Sequence, residues 1–124
     1  MIMLSKEQIK RLHKKQLEAT GGLDGIRDEA LLESALSSAF QTFGGAELFP
    51  STVAKIARIA FGLVSNHPFV DGNKRIGTYV MLVLLEVNNI MIDFSDDDII
   101  RIGLELASGN MTDENLRDLI LEKS

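Results

Sequence analysis

Apolar residues return at helical spacing along nearly the whole chain, and only two prolines, Pro50 and Pro68, interrupt it. That spacing builds one face of a helix and does not match the alternation a strand needs. Ser5 with Gln8 is a capping-box pattern that opens a helix running to about Ala19. Ile9, Leu12, Gln16 and Leu17 lie near one face of it, and Gly21-Gly22 stops it. Asp28-Glu29 opens a second helix with Leu31, Leu32, Ala35, Leu36 and Ala39 as its apolar stripe. Ser51 or Thr52 caps a third, which runs through Val64 and ends where His67 precedes Pro68. A fourth starts near Asn73 and reaches about Asn88. Its stretch Tyr79–Leu85 is apolar nearly all round, which predicts the central, buried helix. Ser95 with Asp98 opens a fifth, running to Ala107 and stopped by Gly109, and Thr112 caps a last one carrying Leu116, Leu119 and Ile120. The expectation is one all-α domain over residues 1–124, a bundle of about six helices around a buried central helix. The one β element expected is a hairpin flap in Phe40–Pro50, where Phe40, Phe43, Leu48 and Phe49 surround Gly44-Gly45.

Bulk properties exclude several classes of function. A net charge of −5 argues against a general nucleic-acid binder, although Lys74-Arg75 is a local basic pair. Without cysteine there is no disulfide, thiolate nucleophile or cysteine-ligated zinc. The first residues, Met1–Glu7, lack a basic start followed by an apolar run, and the longest apolar run is far too short to span a bilayer. A soluble, cytoplasmic chain that binds neither membrane nor nucleic acid is therefore expected.

The chemistry concentrates in His67-Pro-Phe-Val-Asp-Gly-Asn-Lys-Arg75. Gly72 and Asn73 fall at the start of the fourth helix, where free N–H groups and the dipole form an anion site. Gly72 allows close backbone approach, and Asn73 can cap the helix or donate its amide to a phosphate oxygen. Lys74 adds a point charge and Arg75 a planar fork. Asp71 beside them is an oxygen ligand suited to Mg2+ bound together with phosphates. The imidazole of His67 can accept a proton from an attacking hydroxyl near neutral pH. Phe69 and Val70 are read as structural, with Phe69 anchoring the loop to the core. Taken singly, each residue has a plainer role: a helix boundary for His67, a turn for Asp71-Gly72, a solvated face for Lys74-Arg75. Their convergence in one short loop carries the functional reading. His13, mid-helix, is read as structural or surface. A P-loop, a dinucleotide fingerprint and a paired-histidine metal motif are all missing.

These nine residues resemble the Fic-domain signature His-Pro-Phe-x-Asp/Glu-Gly-Asn-Gly/Lys-Arg, in the lysine variant of the Doc (death-on-curing) toxins. Thr20–Asp28 and Leu31–Ala35 resemble Doc-like proteins in order and spacing, so the likeness covers nearly the whole chain. The resemblance implies a toxin of a type II toxin–antitoxin system. Such a toxin is a protein kinase moving the γ-phosphate of ATP, with Mg2+, to a threonine of elongation factor Tu and so halting translation. It implies His67 as general base, Asp71 as magnesium ligand, Gly72 and Asn73 as the anion hole, and Lys74 and Arg75 as phosphate holders. The flap, with Phe43, Gly44, Gly45, Leu48 and Phe49, would dock the target, and an antitoxin with a disordered C-terminal tail would be the partner. The alternatives are Fic-type adenylylation of a target hydroxyl, and a catalytically silent nucleotide- or phosphate-binding module. Lys74 favours phosphoryl transfer, because it fills space that a glycine leaves open to a phosphate and so favours a reversed nucleotide. Asn110–Asn115 also matches, except at its first residue, the inhibitory pattern Ser/Thr-x-x-x-Glu-Gly/Asn; the plainer reading is a helix start capped by Thr112, with the separate antitoxin as the expected control, and self-inhibition through Glu114 stays open as the alternative.

Overall fold

Five of the six helices begin where a side chain supplies the acceptor that a free first-turn N–H needs. The computed structural model describes all 124 residues. In chain order the helices are α1 (Lys6–Thr20), α2 (Glu29–Ser37), α3 (Thr52–Asn66), α4 (Asn73–Val87), α5 (Asp96–Ser108) and α6 (Asp113–Lys123). Ser5, Asp28, Ser51, Ser95 and Thr112 cap α1, α2, α3, α5 and α6, with full capping boxes on α1, α5 and α6. The exception is α4. Its N-cap is Gly72, in the left-handed region at φ 78°, and no side chain caps it.

A 3-10 turn, Ser38–Phe40, extends α2. The flap follows as a hairpin of β1 (Thr42–Phe43) and β2 (Ala46–Glu47), with Thr42 opposite Glu47 and Phe43 opposite Ala46. Gly44 and Gly45 both have positive φ, 60° and 83°, as the tight turn that joins twisted strands requires.

The central helix is α3, which corrects the expectation for α4. Buried residues run along α3 from Val53 to Ala57, and include Ile59, Ala60 and Gly62 to Val64. It packs against α2, α4, α5 and α6. Tyr79 on α4 stays 41% exposed, and Leu82 and Val83 are half-buried. Small residues explain the exchange. Ala54, Ala57, Ala60 and Gly62 let neighbours close on α3 from several sides, whereas α4 leaves Tyr79 and Val87 exposed. A Cβ added at Gly62 would lie 3.0 Å from the Ala35 Cα of α2, and one at Gly77 of α4 would lie 2.5 Å from Val64 Cγ2. No helix is long and apolar enough to cross a membrane.

Candidate active site

The nonapeptide connects the end of α3 to the start of α4, and two segments distant in sequence hold it there. Residues 25–28 run beside it. Val70 N donates to Gly25 O at 3.1 Å, Arg27 N to Pro68 O at 2.8 Å, and Ile26 bridges Phe69 in antiparallel fashion. The Arg27 guanidinium donates to the last carbonyls of α3, His67 O at 2.6 Å and Asn66 O at 2.8 Å. A cation there satisfies orphan acceptors and meets the negative end of the helix dipole. On the other side lies a polar stripe of α1: His13, Gln16 and Thr20. His13 Nε2 lies 2.7 Å from Asp71 O, Gln16 Nε2 donates to Arg75 O at 3.3 Å, and Arg75 donates to Thr20 Oγ1 and to Gly21 O.

Within the loop, Phe69 is 1% exposed and belongs to the core. Asn73 grips the Phe69 backbone twice, accepting from its N–H at Oδ1 and donating from Nδ2 to its carbonyl, both at 3.0 Å. The buried Asn73 amide is thus turned into the loop, neither capping α4 nor facing a ligand, and Asn73 reaches the cleft through its backbone. Val70, expected to be structural, is instead 49% exposed. Successive residues of an extended segment point to opposite sides, so burying Phe69 turns Val70 outward.

One cleft of about 520 Å3 is lined by His67, Val70, Asp71, Gly72, Asn73, Lys74 and Arg75, with Ala107 of α5 as the facing wall. It brings together every catalytic, metal and phosphate residue expected from the sequence. The first α-helical bond of α4 runs from Ile76 N to Gly72 O, so the N–H groups of Asn73, Lys74 and Arg75 have no acceptor within the helix. They form the positive end of the helix dipole at the cleft. His67 closes α3 in the left-handed region (φ 49°, ψ 55°), with its carbonyl held by Arg27 and its side chain exposed at the cleft. A non-glycine residue in that region is uncommon, and such strain concentrates at functional sites.

The Asp71 carboxylate accepts from Leu23 N at 3.1 Å and Gly72 N at 2.8 Å. These two N–H groups, with the positive charge of Arg75 behind them, hold its pKa below the ordinary 3.8. It is therefore a fixed anion at neutral pH with lone pairs to spare. Only glycine fits at position 22, since a Cβ there would meet Asp71 Oδ2 and Leu17 Cδ2, each at 2.8 Å. Nowhere do three or more histidine, aspartate or glutamate side chains form a cluster able to hold a metal. A single ionised carboxylate beside an anion cradle nonetheless fits Mg2+, which binds through one or two carboxylates and substrate phosphates.

The flap displays Phe43, 80% exposed, and Leu48, 51% exposed, with Gly44 and Gly45 at its tip. Phe49 is turned inward, its ring 5.5 Å from the Arg58 guanidinium of α3. Lys55, 6% exposed, fastens the base of the flap through Glu47 at 3.0 Å and the Phe49 carbonyl. Glu114 does not reach the cleft. It lines a small pocket under the flap with Leu48, Phe49, Pro50 and Arg117. The Thr112 capping box and the Asp113–Arg58 pair at 3.4 Å hold the first turn of α6 there, as the plainer reading of this segment has it, and the alternative of self-inhibition through Glu114 finds no contact with the cleft.

His13, read from the sequence as structural or surface, is structural and buried against the loop. Arg27, Lys55 and Ala107 bear on the cleft or the flap, and sequence reasoning passed over them. Lys55 and Ala107 stand in no motif, and Arg27 lies in Thr20–Asp28, where only the resemblance singled the segment out. A polar face on α1, at positions 13, 16 and 20, was the one signal available.

The Fic/DOC family model matches residues 3–85, which include α1, the flap, α3 and the whole nonapeptide, and the chain belongs to the Fic/DOC family. A curated relative, the toxin Doc of Mycolicibacterium smegmatis, is 33% identical over 81 residues. That match spans 64% of this chain and 62% of the relative's length.

Proposed function

We propose that this protein is a Doc-type toxin that transfers the γ-phosphoryl group of ATP to a threonine hydroxyl of a translation factor, with elongation factor Tu as the first candidate. The carrying observation is the cleft in which His67, Asp71, Lys74, Arg75 and the uncapped start of α4 meet. Support also comes from family membership and from the relative named as a Doc toxin.

In this reading the free N–H groups of α4 and the cations of Lys74 and Arg75 orient the nucleotide phosphates. Asp71 holds Mg2+, which when bound neutralises charge on those phosphates. His67 accepts the proton of the target hydroxyl as its oxygen bonds to the γ-phosphorus. The bond from the γ-phosphorus to the β,γ-bridging oxygen breaks, and ADP leaves. The displayed flap residues Phe43 and Leu48 dock the target, and the edge of the hairpin can pair with an extended segment of it. The regulatory partner is an antitoxin whose disordered tail folds on this domain. With a translation factor as its target, the protein would act in the cytoplasm.

The test is transfer from ATP labelled at the α or the γ position to purified elongation factor Tu, read by intact mass and radiolabel. Label from the γ position, abolished by His67→Ala, is expected. Label from the α position would establish adenylylation instead. Growth arrest that survives His67→Ala would assign the cleft to binding alone.

A further inference from the structure

His13 is the one buried histidine, 2% exposed, and it touches the nonapeptide from behind the cleft. Its ring stacks on Phe69 at a centroid distance of 3.9 Å and 15° between planes. Its edge reaches the Asp71 carbonyl, with Nε2 at 2.7 Å. A Cβ built on Gly72 would sit 3.5 Å from the same Nε2. One side chain of α1 therefore holds two residues of the loop, Phe69 by its face and Asp71 by its edge, and stands against the open side of Gly72.

A carbonyl oxygen only accepts, so Nε2 carries the proton and His13 is the donor. The consequence reaches the cleft through the Asp71–Gly72 peptide. In a trans peptide the C=O and N–H point in opposite directions. Holding the Asp71 carbonyl back against α1 turns Gly72 N–H the other way, where Asp71 Oδ1 accepts it at 2.8 Å. The same rotation keeps a partial negative charge out of the place where the α4 N-terminus meets an anion. Gly72, at φ 78°, has no Cβ to resist it.

We infer that His13 is a positioning residue for the anion-binding end of α4, acting through the Asp71–Gly72 peptide and touching neither nucleotide nor target. This rests on the functional reading above only for the identity of the anion. Asn73 holds the loop at Phe69 and cannot replace His13, because its bonds leave the Asp71–Gly72 peptide free to rotate.

The variants His13→Phe, His13→Asn and His13→Gln separate the contributions. Phenylalanine keeps the stack on Phe69 and loses the donor. Glutamine carries an amide N–H out to the position of Nε2, and asparagine falls short of it. Two measurements apply to each variant: calorimetric titration with ATP plus Mg2+, and the chemical shift and hydrogen exchange of the Gly72, Asn73 and Lys74 amides without ligand. The expected result is ATP affinity about tenfold weaker in His13→Phe and His13→Asn, with the three amides shifted and exchanging faster. His13→Gln restores both to near the parent. Parent-like amides and affinity in His13→Phe, or a His13→Gln no better than His13→Asn, would overturn the inference. If the parent itself binds no ATP, the functional reading falls, and the amide comparison alone decides the role of His13.

Discussion

At the scale of single residues, the loop is organised by which polar groups it satisfies internally and which it leaves to the cleft. Asp71 is the case with a pH signature. Its folded pKa lies below the ordinary 3.8 because Leu23 and Gly72 donate to the carboxylate. A depressed folded pKa contributes stability that is complete above the unfolded value and is lost as pH falls through the folded one. Urea unfolding of Asp71→Asn across the acid range should therefore show a flatter loss of stability below about pH 4 than the parent. Asn73 has no such titration, yet it closes two backbone bonds at Phe69 in a buried setting. Replacing it with alanine leaves a donor and an acceptor unpaired and should cost about 2–4 kcal/mol in denaturant melts. If Asn73→Ala unfolds like the parent, water has replaced the amide and Asn73 does not clamp the loop.

At the scale of elements, close approach between helices sets the cleft's dimensions. α3 and α4 both flank the nonapeptide, and Gly77 lets them meet with Val64 Cγ2 only 2.5 Å from where a Cβ would stand. Gly77→Ala should push the two helices apart, lower stability by about 1–3 kcal/mol, and loosen the loop they share. The melting temperature and the amide shifts of residues 67–75 report both effects. The caps were the most legible part of these elements. Ser5, Asp28, Ser51, Ser95 and Thr112 all stand where the sequence placed helix starts, because a cap bonds an N–H three residues away and needs no distant partner. The centrality of α3 was not legible. It depends on how closely four other helices can approach, which no single apolar stripe encodes.

At the scale of the whole molecule, the fold sets two surfaces apart: a polar cleft at the α4 N-terminus, and an apolar flap held up by Lys55 and Arg58. A surface residue with few contacts should matter to recognition and little to stability. On the proposed function, in which the flap docks a target, Phe43→Ser should shift stability by no more than about 0.5 kcal/mol while weakening growth arrest and target labelling. Glu114→Ala should leave both unchanged, since Glu114 faces the flap's underside. A gain of toxicity in Glu114→Ala would restore internal regulation as the explanation.

The amino-acid order by itself determined the helices, the hairpin turn and the chemical content of His67–Arg75. Each of these rests on bonds or periodicities within a few residues, which the chain carries locally. Tertiary structure decided which groups the cleft receives. It turned the Asn73 amide inward and Val70 outward, took Glu114 away, and brought His13 from 58 residues off and Arg27 from 40 to hold the loop. Those outcomes depend on how helices pack and on which buried polar atoms find partners across the fold, and neither is written in the neighbours of any one residue.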